Sequence, residues 1–414
     1  MEHKVRKIKC FVVISIILAF SAAGCAGNKD RAEKIPEERE KLLLWTYYET
    51  EAQKQALEEL VQAFNQSQDR YLLTWEYQGP LTEFNKKLAI GITQEQQPDI
   101  VIIDNPDMKR YAKQGELEDL TEYITQMDSL DSYYSNALDS VRIENRYYGL
   151  PFCCNNTALI YNEDLLQEKG LEVPQTWTEF VACAKALTEG ERKGFAMSAI
   201  QGEQACFQIL PFILSAGDDI NQLGGEGTVQ AFSLIRQLVD TQVMSTECIN
   251  WSQNDVARKF MEGECAMMEN GPWVLPSLEA SGINYQIARL PSMTGNTEGL
   301  TGVTGGENLG VIKGKNVEGA LAFIRFYNEE SQMLKVNLKA DSLPPRRDAA
   351  QKMLEQKPEY AIFEAQMDTS VARSRCSNWA EITKILSEAQ FSVITGQMTP
   401  EEAAAYVRGE GGDF

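Results

Sequence analysis

The chemistry open to this chain is narrowed first by histidine. Its single histidine, His3, stands in a basic N-terminal segment that is expected to be removed. A body without histidine cannot assemble a Ser-His-Asp or Cys-His site, nor a His-ligated metal centre. Acids are plentiful, 60 against 39 basic side chains, so carboxylate-only hydrolysis stays open, yet no carboxylate pair stands out. The groups that draw attention are polar residues beside aromatics. Tyr47-Tyr48-Glu49 is such a set, Asp104-Asn105 is a polar pair at the end of an apolar run, and Trp273 follows directly on Asn270-Gly271-Pro272 in MMENGPWVLPS. A tryptophan behind such a turn is either core filling or a platform offered to something outside the chain. No cofactor is expected: G-x-x-x-x-G-K-[ST] is missing, and GVTGGENLG lacks the strand–helix setting of a dinucleotide fingerprint.

The elements that must position these groups read as α/β. Residues 42–48 (LLLWTYY) are a buried-strand run, followed by 51–66 with Leu57, Leu60, Val61 and Phe64 at helical spacing. Residues 71–77 alternate like a strand, 81–92 are helical, and 98–104 (PDIVIID) form the continuous apolar run of a central parallel strand. This βαβαβ order predicts a doubly wound sheet whose ligand end is the carboxyl edge of the strands. That edge carries Tyr47, Tyr48 and Glu49 after the first strand, and Asp104 and Asn105 after the third. A second α/β block begins near 147–166 and runs through helical stretches at 176–190 and 229–241, an apolar segment at 206–217, and the strand CAMME. A Gly/Thr-rich stretch, 294–314, follows. At 414 residues, 43% hydrophobic and 24% charged, the chain is an ordinary globular protein of two domains. Its formal charge of -21 disfavours nucleic acid.

The first 25 residues are an address. Lys4, Arg6, Lys7 and Lys9 precede FVVISIILAF, the layout of a secretory signal. The run ends in Ala22-Ala23-Gly24-Cys25, which resembles the lipobox of bacterial lipoproteins. That resemblance implies cleavage after residue 24 and lipidation of Cys25, palmitate included, which anchors the mature chain to the outer face of the cytoplasmic membrane. Residues 25–41 are then a lipidated cysteine and a flexible tether reaching about 50 Å when extended. The seven other cysteines past residue 25 (Cys153, Cys154, Cys183, Cys206, Cys248, Cys265 and Cys376) have neither a disulfide-framework nor a zinc spacing; buried thiols are the expectation.

The ordered pieces LLLWTYYE, PDIVIIDNPDMKRYAKQGELEDLT, YYGLPFCCNNTALIYNEDLL, TWTEF, FMEGECAMMENGPWVLPSL, GGENLGVIKG, ALAFIRFY and SLPPRRDA resemble the family 1 extracellular solute-binding proteins of bacterial ABC importers, the maltose-binding-like group. They span about residues 42–408. The resemblance implies a periplasmic-binding-protein-like fold of two lobes, each a sheet flanked by helices, joined by several hinge crossings. The lobes would be 42–152 plus 303–346 and 153–302 plus 347–414, crossing near Phe152, Gly302 and Pro345. It also implies a monomer without catalytic or metal sites, which captures a carbohydrate, closes around it and presents it to the membrane permease.

Carried over by position, the ligand residues would be Tyr47, Tyr48, Glu49, Asp104, Asn105, Asn155, Glu203, Gln204, Phe207, Trp273, Gly306, Glu307, Asn308 and Trp379. Trp273 would stack on a sugar ring, while Trp75 and Trp177 belong to the framework. Such types suit a pyranose, whose C–H faces are covered by aromatics and whose hydroxyls are met by bidentate carboxylates and amides. Two alternatives remain at this point: a secreted carboxylate-dependent glycoside hydrolase, and the same fold holding a non-sugar solute such as a polyamine.

Overall fold

The computed structural model describes residues 38–295, 302–376 and 378–411. The signal-like segment, Cys25 and nearly all of the tether lie outside the described residues, as does 296–301 in the Gly/Thr-rich stretch. The strands run in chain order as Glu40–Thr46 (β1), Tyr71–Tyr77 (β2), Ile100–Asp104 (β3), Arg142–Ile143 (β4), Arg146–Tyr147 (β5) and Gly149–Pro151 (β6). Ala158–Asn162 (β7), Lys193–Ala196 (β8), Cys265–Asn270 (β9) and Tyr285–Ala288 (β10) follow. Gly302–Thr304 (β11), Glu307–Val311 (β12) and Ser370–Ala372 (β13) complete the set.

The first sheet has the order β2-β1-β3-β12-β6. β1 is parallel to both β2 and β3, and the helices Glu51–Ser67 and Leu81–Thr93 are the crossovers. Thr50 starts the first of them with a reciprocal cap to Gln53. Alternation along the strands supplies a core on each face. Leu42, Leu44, Ile100, Ile102 and Leu309 pack under Phe64 and Phe323, while Trp45, Val101 and Ile103 pack on Phe84, Leu88 and Met108. β12 joins antiparallel to β3, placing Glu307 opposite Asp104 at the ligand edge.

The second sheet has the order β10-β7-β9-β8. Thr176 and Glu179 form a capping box for the helix Trp177–Leu187, and Trp177 is a framework residue whose indole N–H meets the Pro291 carbonyl at 3.0 Å. The apolar segment at 206–217 is the helix Glu203–Ser215, buried on nearly every face and carrying Pro211 within it. The helix Trp379–Thr395 packs on it and on the helix Glu226–Asp240, and Pro400–Gly411 packs on Glu226–Asp240 and Trp379–Thr395. Trp75 is half-buried on β2 and bonds Glu58.

Three segments lie side by side between the sheets. Asn155 bridges Gly305 and Cys154 bridges Leu343, while the Tyr134 N–H donates to the Pro345 carbonyl. β11 pairs with β13, so the chain reaches the first sheet only after Gly305-Gly306, a few residues beyond the expected passage at Gly302. Gly306 has φ +117°, and a Cβ there would stand 2.3 Å from the Cys153 carbonyl oxygen, so no other residue fits. All seven cysteines are buried free thiols, with Cys153 and Cys154 packed inside these segments.

Candidate ligand-binding cleft

An arginine organises the region where the two sheets' elements converge. Arg373, just past β13, is 3% exposed. Its guanidinium reaches Asp104 at the end of β3 (3.1 Å) and also pairs with Glu203 at the start of the Glu203–Ser215 helix. Its carbon lies 4.6 Å from the Phe207 ring centroid and 5.9 Å from that of Trp379. The Trp379 indole N–H donates to the other Glu203 oxygen at 2.7 Å. Burial pushes the Asp104 carboxyl up from its ordinary value, and the Arg373 charge works against that rise.

Beside this cluster opens a cavity of about 670 Å³. Asp104, Pro106 and Asp107 come from β3 and the helix Asn105–Lys113, Thr82 and Asn85 from the helix Leu81–Thr93, and Glu203, Asn378, Trp379 and Thr383 from the other side. Carboxylates, amides and hydroxyls therefore surround one aromatic edge, a lining for a polar ring-bearing solute.

The residues expected at the ligand site divide into four groups. Asp104, Glu203 and Trp379 line the cavity. Phe207 and Trp273 adjoin the cluster: their ring centroids are 6.3 Å apart, and Trp273 is half-buried in the 3₁₀ turn Pro272–Val274 that follows β9. Tyr47, Asn155, Gly306 and Glu307 belong to the crossing region; Glu49 is exposed beyond β1. The rest are placed elsewhere by packing. Tyr48 is 2% exposed, with its ring against Phe152. Gln204 points away and accepts from the Gln253 N–H. Asn105 and Asn308 are buried, Asn308 accepting from Ser140. Arg373, Asn85, Asp107 and Thr383 escaped the sequence reading. The one available signal was an arginine beside the apolar pair Val371-Ala372, which demands a buried anionic partner.

Glu307 sits at the head of the crossing. The Tyr47 hydroxyl donates to one of its oxygens at 2.9 Å and the Cys153 thiol to the other. Burial, with help from the Asp104 charge, pushes this carboxyl up to about 7 against the lowering effect of those two donors.

Two lobes with a polar, aromatic-edged cleft beside their crossing segments define a ligand-capturing protein. The chain belongs to the bacterial extracellular solute-binding proteins, whose family model matches residues 59–364. It is 24% identical over 296 residues to the galactooligosaccharide-binding protein of Bacillus subtilis, covering 69% of this chain and 68% of that one. Identity to the sn-glycerol-3-phosphate-binding periplasmic protein UgpB of Rhizobium meliloti is 25% over 319 residues, covering 70% and 71%. In fold it matches the GacH receptor of Streptomyces glaucescens, solved unliganded and with acarbose, at TM-score 0.79 and 23% identity, covering 90% of this chain and 97% of that one.

Two predictions follow from the buried charges. Removing the Arg373 charge strands two carboxylates, so Arg373→Met should cost about 3–5 kcal/mol in denaturant unfolding. Adding Asp104→Asn and Glu203→Gln should restore most of that; a small loss for Arg373→Met alone would show that the pairs carry little. For Glu307 the folded state holds its proton more tightly than the unfolded one. Its contribution to stability is therefore full below about 4.5 and lost as pH rises through about 7. Glu307→Gln should flatten that decline by about 3 kcal/mol between these limits, read from unfolding curves across pH.

Proposed function

We propose that the chain is the lipid-anchored substrate-binding subunit of an ABC importer, capturing a carbohydrate in the cleft and delivering it to the membrane permease. The observation that carries this reading is the cavity itself: hydroxyl-binding carboxylates and amides from both sides around the edge of Trp379. Family membership and the galactooligosaccharide-binding relative support it. Lobes of 42–152 plus 303–346 and 153–302 plus 347–414 would hinge at the three adjacent segments, and a sugar touching both sides would favour the closed state.

A hydrolase is disfavoured by the same geometry. Asp104 and Glu203 are both committed to Arg373, and Asp107 to Arg110 and Asn85, so none stands free as a general acid. This supports the reading of a protein that binds without consuming. Export and anchoring through Cys25 rest on the signal and lipobox-like residues together with the extracellular character of the family.

In a thermal-shift panel, the purified protein should be stabilised by one class of oligosaccharide and leave it intact. Turnover of the stabilising sugar would replace this reading by the hydrolase, and stabilisation by polyamines alone would change the solute. With the sugar so found, Trp273→Ala should weaken binding tenfold or more while Trp273→Phe costs much less. Unchanged affinity with a large drop in melting temperature would assign that ring to the core. For the anchor, Cys25→Ser should abolish incorporation of labelled palmitate in expressing cells and release the chain from the membrane fraction; retained label would refute lipidation there.

A further inference from the structure

A second cavity, of about 490 Å³, shares Lys109 and Lys113 with the first. Arg142 and Arg375 also line it, so four cationic side chains face two acidic ones, Asp139 and Glu144. This is the reverse of the balance in a chain of net charge -21. Arg142 is paired with Asp139 at 2.6 Å. Among the described residues, Lys109, Lys113 and Arg375 have no carboxylate partner; Lys113 and Arg375 are exposed. The Lys109 ammonium is half-buried and donates to the carbonyls of Ser374 (3.3 Å) and Cys376 (3.1 Å). It is thereby fixed beside Arg375, whose chain segment lies opposite the Asn105–Lys113 helix. Burial and the Lys113 charge both disfavour the ammonium there. Glu144 offsets part of this for Lys109 and Asp139 is taken by Arg142, so the cations around this cavity outnumber the carboxylates near them and favour an anion from outside.

We propose that the cargo is an acidic saccharide whose carboxylate or phosphate is held by Lys109, Lys113, Arg142 and Arg375 while its neutral rings occupy the adjoining cavity. This rests on the carbohydrate reading above and narrows it. The shared lysines place the acid group next to the ring site, so one molecule fills both cavities. Arg375 comes from the segment after β13, whereas the lysines and Arg142 come from elements of the first lobe, so the anion bridges opposite sides of the cleft. It cancels a repulsion that otherwise opposes their approach, which couples recognition to closure.

The test uses calorimetric titration of the purified full chain in detergent, with matched neutral and acidic probes. These are galactobiose and galactotriose against di- and trigalacturonate, maltose against maltose 1-phosphate, and inorganic phosphate alone. At least one acidic probe should bind tenfold or more tightly than its neutral partner in 20 mM salt, the gap shrinking in 0.5 M salt. Whether the uronates or the sugar phosphate show it distinguishes carboxylate from phosphate. Arg142→Gln and Arg375→Gln, both at exposed positions that line only the second cavity, should each weaken the acidic probe about tenfold without weakening the neutral probes. Arg258→Gln, an equal loss of charge on a helix lining neither cavity, should change nothing. Equal binding of neutral and acidic partners, or acidic binding untouched by both variants, overturns the anionic specificity and leaves the carbohydrate reading standing. Binding of inorganic phosphate with no saccharide taken overturns the saccharide reading itself. Binding of no probe overturns both.

Discussion

The Arg373 guanidinium, held out of water between Asp104 and Glu203, is the constraint on which the cleft depends. Ionised groups lose several kcal/mol each on burial, so the cluster persists only if its partners are held in good geometry. The fold meets this by bringing together the end of β3, the start of the Glu203–Ser215 helix and the segment after β13, which are far apart in sequence. Lysine could not replace arginine here. One planar fork serves two carboxylates in different directions and still lies against the Phe207 ring. Glu203 in turn uses its other oxygen to hold the Trp379 indole. The aromatic edge and one acid of the cavity wall are therefore set before any ligand arrives, which lowers the ordering cost of binding.

The crossing region works by a different physical means. Glu307 stands opposite Asp104 in the β12–β3 ladder, and its carboxyl is met by a phenol and a thiol, not by a cation. Neutral donors only partly offset the loss of hydration, so this carboxyl is pushed up to about 7, whereas the surface carboxylates of Glu40, Glu59, Glu179 and Glu318 are held below their ordinary range by hydrogen-bond partners. Gly306 beside it leaves no room for a side chain, so the crossing strands approach backbone to backbone.

Much of the framework was legible in the sequence because it is local. Apolar runs, helical spacing and alternation marked β1 through β3 and their crossover helices, and the Asn-Gly-Pro turn marked the end of β9. The site was legible only in blocks, because a motif names neighbours together whereas geometry separates them. Glu307 and Asn308 point to opposite faces of β12, so one meets Tyr47 while the other is buried against Ser140. Glu203 and Gln204, adjacent on a helix, face Arg373 and Gln253 respectively. β1 ends at Thr46, and Tyr48 turns inward onto Phe152. Arg373 and Lys109 were invisible for another reason. Their roles come from long-range pairing across sequence separations of more than 160 residues, which no local pattern encodes.

The two charge clusters answer different needs of the same cleft. Around Arg373 each charge has a partner within the chain, so that junction between the two sides is satisfied without a ligand. Around Lys113 and Arg375 the cations lack carboxylate partners and lie near water, so high dielectric keeps their mutual repulsion small while the sides are apart. As the sides approach and water leaves, the effective dielectric falls and the same repulsion grows. A neutral solute would have to close the cleft against that rising cost, whereas an anionic one turns it into attraction at the stage where closure occurs. With the anionic cargo proposed above, the gap between open and closed states would depend on ligand charge, and discrimination would fall in the closing motion as well as in the first encounter.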